Sequence, residues 1–360
     1  MNIIKRIIVT GAGGSPSINF IRSLRKSPEK FFIIGLDCNE YYLQRAEADA
    51  KFLVPYANDK LYLPVLGDII KQTRAEFIYS QPDPEIMRIS EARDSLKAKV
   101  FLPAHQTIKI CQNKLASYRI WHKAGIRVPE TYIIKTPADL KKAFVKLGTP
   151  VWLRAIVSYG GGKDSFCTDD LKVAKAWIDH CRGWGGFSAS KYLSDRTAAW
   201  LSIWKDGELV VAQGRKRLYW EFGSRAPSGV TGLTGAGVTI SDPVIDDIAQ
   251  KAIYAVDKTP SGIFGVDLTY DSSGIPNPTE INIGRFFTTH LFFTEAGLNM
   301  PYIFIKTAYG EHFPRLRKKI NPLPDGLVWV RGMDFLPILT DTGNIENSKK
   351  ELAERISNLG

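Results

Sequence analysis

Cysteine and histidine are scarce in this 360-residue chain, and long apolar runs are missing altogether. The four cysteines (Cys38, Cys111, Cys167 and Cys181) are scattered, with no C-x-x-C pair. That excludes a disulfide framework and predicts reduced, mostly buried thiols, as in a cytoplasmic protein. The five histidines lack zinc-ligand spacing, so a structural zinc site is excluded too. No apolar stretch approaches the roughly 20 residues that cross a bilayer, so no membrane partner is expected. The first apolar stretch is short and runs into a glycine turn, which reads as a first strand rather than a leader. The net charge of +11 favours anionic ligands. Its basic residues are dispersed apart from 215–217 and 315–319, and no RNA-binding, zinc-finger or basic-helix signature accompanies them. Nucleotide phosphates and an acidic small molecule explain the charge better than nucleic acid does.

Residues 1–103 alternate apolar strands (7–10, 31–36, 51–54, 76–79) with helical patterns at 59–72 and 84–97. Such alternation predicts an α/β unit with a doubly wound parallel sheet. Gly11, Gly13 and Gly14 follow the first strand, and Asp37 ends the second. This is either a tight structural turn or an incomplete dinucleotide loop, because Pro16 and Ser17 stand where further glycines would complete the motif. Beyond it we expect a helix at 105–125, strands at 131–134 and 151–156, and a helix at 137–147. Further strands fall at 164–168, 187–193, 197–205 and 208–218, with a helix at 170–181 between the first two. A long functional loop follows at 219–241, then a helix at 243–257, a hairpin, a helix at 299–309, a strand at 327–335 and a polar tail helix at 346–358. Trp177, Trp184, Trp200, Trp204 and Trp220 are expected to pack the core and lid.

The chemistry concentrates in the hairpin. Residues 263–270 are apolar and β-branched, Ser272, Ser273 and Gly274 form a turn cluster, and strand pattern resumes at 279–283. Pairing brings Asp267 beside Glu280 and Asn282, with Ile281 and Ile283 on the opposite face. Two carboxylates and an amide suit a hard cation such as Mg2+ that shares oxygen ligands with phosphate. A solvated hairpin with incidental acids is the alternative. Upstream, Lys114 sits on a helix, Arg154 ends a strand, and Gly160, Gly161 and Gly162 follow it. A triple glycine can offer backbone N–H groups to phosphate oxygens without side-chain obstruction, while Lys114 and Arg154 neutralise the charge.

In that order and spacing the chain resembles the ATP-grasp superfamily, most closely the carbamoyl-phosphate-synthase-like branch of carboxylate–amine ligases. The resemblance implies a pre-ATP-grasp domain at 1–103, a two-lobed α+β ATP-grasp domain at 104–340 with its small lobe at about 130–193, and a tail helix within 341–360. It implies ATP and two Mg2+ ions, with Mn2+ as a substitute, held by Asp267, Glu280 and Asn282. By the same resemblance Lys191, Tyr192 and Leu193 lie along adenine, and Arg285 and Arg215 neutralise the transferring phosphoryl group. Arg225, Ser228 and Thr231 would touch substrate. The implied reaction activates a small-molecule carboxylate as an acyl-phosphate for capture by an amine, with a homodimer as the default assembly. The chain departs from the pattern at Ser190 and Thr197, where glutamates are usual, and at Arg285, displaced one position by Gly284. Asp195 is the candidate replacement at the ribose, and His290 reads as structural rather than as a base. Two other readings stay open: a degenerate nucleotide-binding module without turnover, and an NAD(P)-dependent oxidoreductase built on the first glycine turn.

Overall fold

The computed structural model describes residues 4–157, 164–226, 228–230 and 232–359. The N-terminal sheet is parallel, with strands in the order Ala50–Leu53, Phe31–Asp37, Lys5–Thr10, Phe77–Tyr79 and Lys99–Val100. Its central strands are nearly continuous runs of buried Ile, Val and Phe, as expected where helices cover both faces. A four-stranded antiparallel sheet follows, in the order Thr131–Ile134, Phe187–Lys191, Val151–Ala155, Ser165–Thr168. A six-stranded sheet runs from Pro276–Ile283 through Gly262–Tyr270, Thr197–Lys205, Glu208–Trp220 and Thr234–Ile240 to Val328–Val330. No helix among the described residues is long and apolar enough to cross a membrane.

Core packing divides the molecule unevenly. Ile7, Val9, Phe20 and Tyr79 of the first sheet and its helix pack with Leu201, Phe286 and Phe304 of the large lobe. Ile34, Val65 and Ile86 join Trp200, Phe264, Ile281 and Ile283 in a second shared cluster. The four-stranded lobe instead buries its own core of Leu140, Val151, Leu153, Ile178 and Phe187. One body thus combines the N-terminal domain and the large lobe, and the small lobe stands beside it.

Four expected elements differ. The helix foreseen at 105–125 is two helices, His105–Gln112 and Lys114–Lys123, because Asn113 leaves helical geometry and its side chain accepts the Ala116 N–H as an N-cap. Residues 234–240, expected within a loop, form the strand Thr234–Ile240. Gly235 disguises it and also makes it possible, since a Cβ there would lie 2.1 Å from the Tyr219 ring on the neighbouring strand. The strand expected at 327–335 is confined to Val328–Val330. The tail helix begins earlier, at Thr342, capped by Asp341, and folds back so that Arg355 pairs with Asp68 of the N-terminal domain. The expected helices at 137–147 and 299–309 appear as Pro137–Leu147 and Met300–Tyr309. Of the tryptophans expected to pack core and lid, Trp200 and Trp204 are fully buried and Trp177 and Trp184 pack the small lobe.

Candidate active site

A cleft of about 480 Å3 opens between the small lobe and the six-stranded sheet. The break at Asn113 prepares one wall. It puts Lys114 at the first position of a new helix, and the Lys114 N–H donates to the Ile156 carbonyl at the end of the small-lobe strand (3.0 Å). The hairpin prepares the other wall. Asp267 stands directly opposite Glu280, and a bulge between Asp267 and Leu268 shifts the register just beyond them. Ile281 and Ile283 turn into the core while Glu280 and Asn282 line the cleft, as strand alternation requires.

The two walls meet on Glu280. Lys114 Nζ lies 3.3 Å from one carboxylate oxygen, and Arg154 Nη2 donates to the other at 3.1 Å. Arg154 Nη1 also donates to the Thr279 carbonyl at 3.2 Å. Burial alone would raise the Glu280 carboxyl, but Lys114, Arg154 and Arg285 hold it down at about 2. Asp267 goes the other way. Burial and the Glu280 charge raise its pKa, against the pull of Arg217 and Arg215. Asn282 Nδ2 donates to Asp267 Oδ2 at 2.9 Å, whereas Asp267 Oδ1 is buried with no hydrogen-bond partner among the described residues. No group of three or more His, Cys, Asp or Glu side chains converges among the described residues. The donor set is therefore two carboxylates and an amide oxygen. These are hard oxygen donors, and Oδ1, which takes no hydrogen bond among the described residues and only a 3.7 Å ion pair with Arg217, is what a cation would satisfy, so the residues fit Mg2+ better than zinc.

Two arginines flank Asp267. Arg217 donates to the Thr197 hydroxyl (2.6 Å) and the Thr234 hydroxyl (3.0 Å), approaches Asp267 Oδ1 to 3.7 Å, and stacks on Trp220 at 3.5 Å. Arg215 is buried, with Nε and Nη1 lacking a hydrogen-bond partner among the described residues, and faces the Phe287 ring at 5.3 Å. Burial first, and then the Arg217 charge, lower its pKa to about 9. A buried guanidinium with unmet donors beside the cleft is suited to an anion.

At the opposite end Lys191, Tyr192, Leu193 and Asp195 line the cleft. Ser190 is not free to replace a glutamate there, because its hydroxyl is hydrogen-bonded to Thr131 (2.8 Å). Thr197 is likewise occupied by Arg217. Ser228 reaches the cleft and its hydroxyl accepts from Ser165 across the lobes (3.1 Å). Arg225 is exposed, over the Phe222 ring at 5.3 Å, and does not line the cleft. Gly160, Gly161, Gly162 and Thr231 lie outside the described residues.

The first glycine turn is built for packing. A Cβ on Gly13 would sit 1.8 Å from the Tyr42 carbonyl oxygen, and one on Gly11 would sit 2.7 Å from Pro82. The Asp37 carboxylate is occupied by the backbone N–H groups of Gly13 and Asn39, both at 3.0 Å. The acid that an oxidoreductase would offer to ribose is spent holding the turn.

Residues 7–101 match the family model described as PylC-like, N-terminal domain. A search of curated protein sequences returns no match. Among solved structures, N5-carboxyaminoimidazole synthase from Aspergillus clavatus, in complex with ADP and 5-aminoimidazole ribonucleotide, superposes with a TM-score of 0.66 at 16% identity, covering 86% of this chain and 78% of its own. The biotin carboxylase domain dimer of Hydrogenobacter thermophilus 2-oxoglutarate carboxylase, with MgADP, ADP and bicarbonate, gives 0.69 at 15% identity over 91% and 74% of the two chains. L-amino acid ligase from Bacillus licheniformis gives 0.65 at 14%, over 86% and 75%. The chain has the ATP-grasp fold.

Within that ATP-grasp framework Arg217 and Trp220 line the cleft without having been expected there. Arg217 had a signal, since it follows Arg215 by two on a strand and so shares its face. Trp220, expected as core or lid packing, lines the cleft beneath Arg217. His290 is structural as expected: fully buried, its Nδ1 lies 2.6 Å from the Phe287 carbonyl and burial lowers its pKa to about 4.

Proposed function

We propose that the protein is an ATP- and Mg2+-dependent ligase that activates a small-molecule carboxylate as an acyl-phosphate and joins it to an amine. The observation that carries this reading is the convergence of Lys114 and Arg154 from one wall of the cleft on Glu280 of the other, beside Asp267 Oδ1, which takes no hydrogen bond among the described residues. Lys114 and Arg154 would transfer their charge to the nucleotide phosphates. Lys191, Tyr192 and Leu193 would line adenine. Asp267, Glu280 and the Asn282 amide oxygen would hold Mg2+, two ions or Mn2+ in their place, supplying charge neutralisation at the phosphate oxygens. Arg215 and Arg285 would neutralise the transferring group and the incoming carboxylate.

A carboxylate oxygen attacks the γ-phosphorus, and the bond to ADP breaks. The amine then attacks the acyl carbon, phosphate departs, and the amine proton passes to solvent. No protein nucleophile is needed, and positioning with charge neutralisation does the work. The like folds include N5-carboxyaminoimidazole synthase solved with ADP, a biotin carboxylase domain dimer solved with MgADP and bicarbonate, and an L-amino acid ligase, which supports this chemistry, and the reaction would run in the cytosol, in a homodimer.

The test is ADP release with Mg2+-ATP and pools of small carboxylic acids and amines. We expect release only when a matching acid is present, and one 18O atom passed from a labelled carboxylate into the phosphate. Nucleotide binding with no turnover across a broad pool would instead make the chain a degenerate module. Turnover without 18O transfer would remove the acyl-phosphate.

A further inference from the structure

Arg285 is held from outside the ATP-grasp lobes. Its Nε and Nη2 donate to both oxygens of Asp83, at 2.7 and 3.2 Å, across 202 residues of sequence. Asp83 is the first residue of the helix Asp83–Ala92 in the N-terminal domain, and its carbonyl accepts from Gln112 at 2.9 Å. Both side chains are largely buried, 12% exposed for Asp83 and 18% for Arg285. A two-point pair of this kind fixes the plane of the guanidinium as well as its location. It leaves Nη1 outside the pair, on a side chain that lines the cleft.

The neighbours of Arg285 are fixed by the same domain. Gly284 has a left-handed φ of +72°, and a Cβ there would lie 2.9 Å from Leu102 and 3.2 Å from Ile86. The Phe286 N–H donates to the Tyr79 hydroxyl (3.2 Å), and its carbonyl accepts from Gln81 (3.3 Å). Gly284 thus acts as a hinge residue that turns the strand end onto the N-terminal domain, delivering Arg285 to Asp83. An acid beside a cation that must bind phosphate weakens that binding by simple charge. Its presence makes sense if the aim it imposes outweighs the charge it subtracts.

We propose that Asp83 is a positioning residue: the N-terminal domain supplies the carboxylate that aims Arg285 at the terminal phosphoryl group of ATP. This rests on the nucleotide reading above. The experiment is calorimetric titration of the full chain with Mg2+ and either AMP-PNP or ADP, using wild type, Asp83→Asn and Asp83→Glu. We expect Asp83→Asn to weaken AMP-PNP about tenfold, the scale of one charge-assisted hydrogen bond, with ADP essentially unchanged. Asp83→Glu should recover part of the loss, because it restores the two-oxygen acceptor. Charge alone predicts the opposite sign, so tighter AMP-PNP binding by Asp83→Asn would overturn the proposal. Equal losses for both nucleotides, or no change in either, would overturn it too, the former marking a purely structural contact between domains. A wild-type protein that binds neither nucleotide would instead remove the nucleotide reading itself.

Discussion

Replacing Glu280 by Gln is expected to lower ADP release at least about a hundredfold, the scale set by removing one preorganised charge from a reaction centre. The same variant should melt earlier without nucleotide. Glu280 is the shared counter-ion of Lys114 and Arg154, and its loss leaves two neighbouring cations to repel each other. The cost should stay below the roughly 3–5 kcal/mol of breaking a fully buried pair, because 24% of the Glu280 side chain is exposed to the cleft. Mg2+-free ATP should restore part of the lost stability, since its phosphates can serve as the missing anion. The pH dependence has a definite sign. Glu280 is held down at about 2 against an ordinary 4.5, so its contribution is present above 4.5 and lost as pH falls through about 2. Thermal melts of both proteins between pH 7 and pH 3 should therefore show a difference that persists well below pH 4.5. Wild-type turnover in Glu280→Gln would remove this carboxylate from the reaction.

Phe286→Ala is expected to cost about 3–5 kcal/mol of stability, as for other large aromatic truncations in a packed core. Phe286 is fully buried with Phe20, Tyr79, His290 and Phe304 around it, at ring separations of 5.1 to 6.0 Å. Phe20 and Tyr79 belong to the N-terminal domain and Phe304 to the large lobe. The cavity would open in the core they share, so the N-terminal domain and large lobe should lose stability together. Denaturant titration followed by circular dichroism and by tryptophan fluorescence should give coincident, equally shifted midpoints. A loss below about 1 kcal/mol, outside the range for a large core truncation, would show that the two parts do not depend on this residue for their union.

The hairpin of Asp267 and Glu280 was legible because its turn cluster and alternation set their pairing by local rules alone. The bulge after Asp267 was not, since one unpaired residue leaves no compositional mark. Local rules also misled where glycine served packing. Gly235 and Gly237 made the strand Thr234–Ile240 look like a loop, although glycine at 235 admits the Tyr219 ring and a Cβ at 237 would crowd the Lys216 carbonyl on the adjacent strand (3.2 Å). The helix break at Asn113 was masked by apolar periodicity that runs through it, so Lys114 was placed mid-helix when it begins one. The Asp83–Arg285 pair lay beyond any local pattern, because its partners meet only when two domains pack.

The Asp267 end of this cleft is expected to receive a Mg2+-bound triphosphate. Calorimetric titration with AMP-PNP, in Mg2+ and then in EDTA, tests it most directly when wild type is compared with Asp267→Asn. Clear tightening by Mg2+ is expected in the wild type, and loss of that tightening in Asp267→Asn with binding in EDTA preserved. Full Mg2+ tightening in the variant, or no nucleotide binding by the wild type, would contradict it.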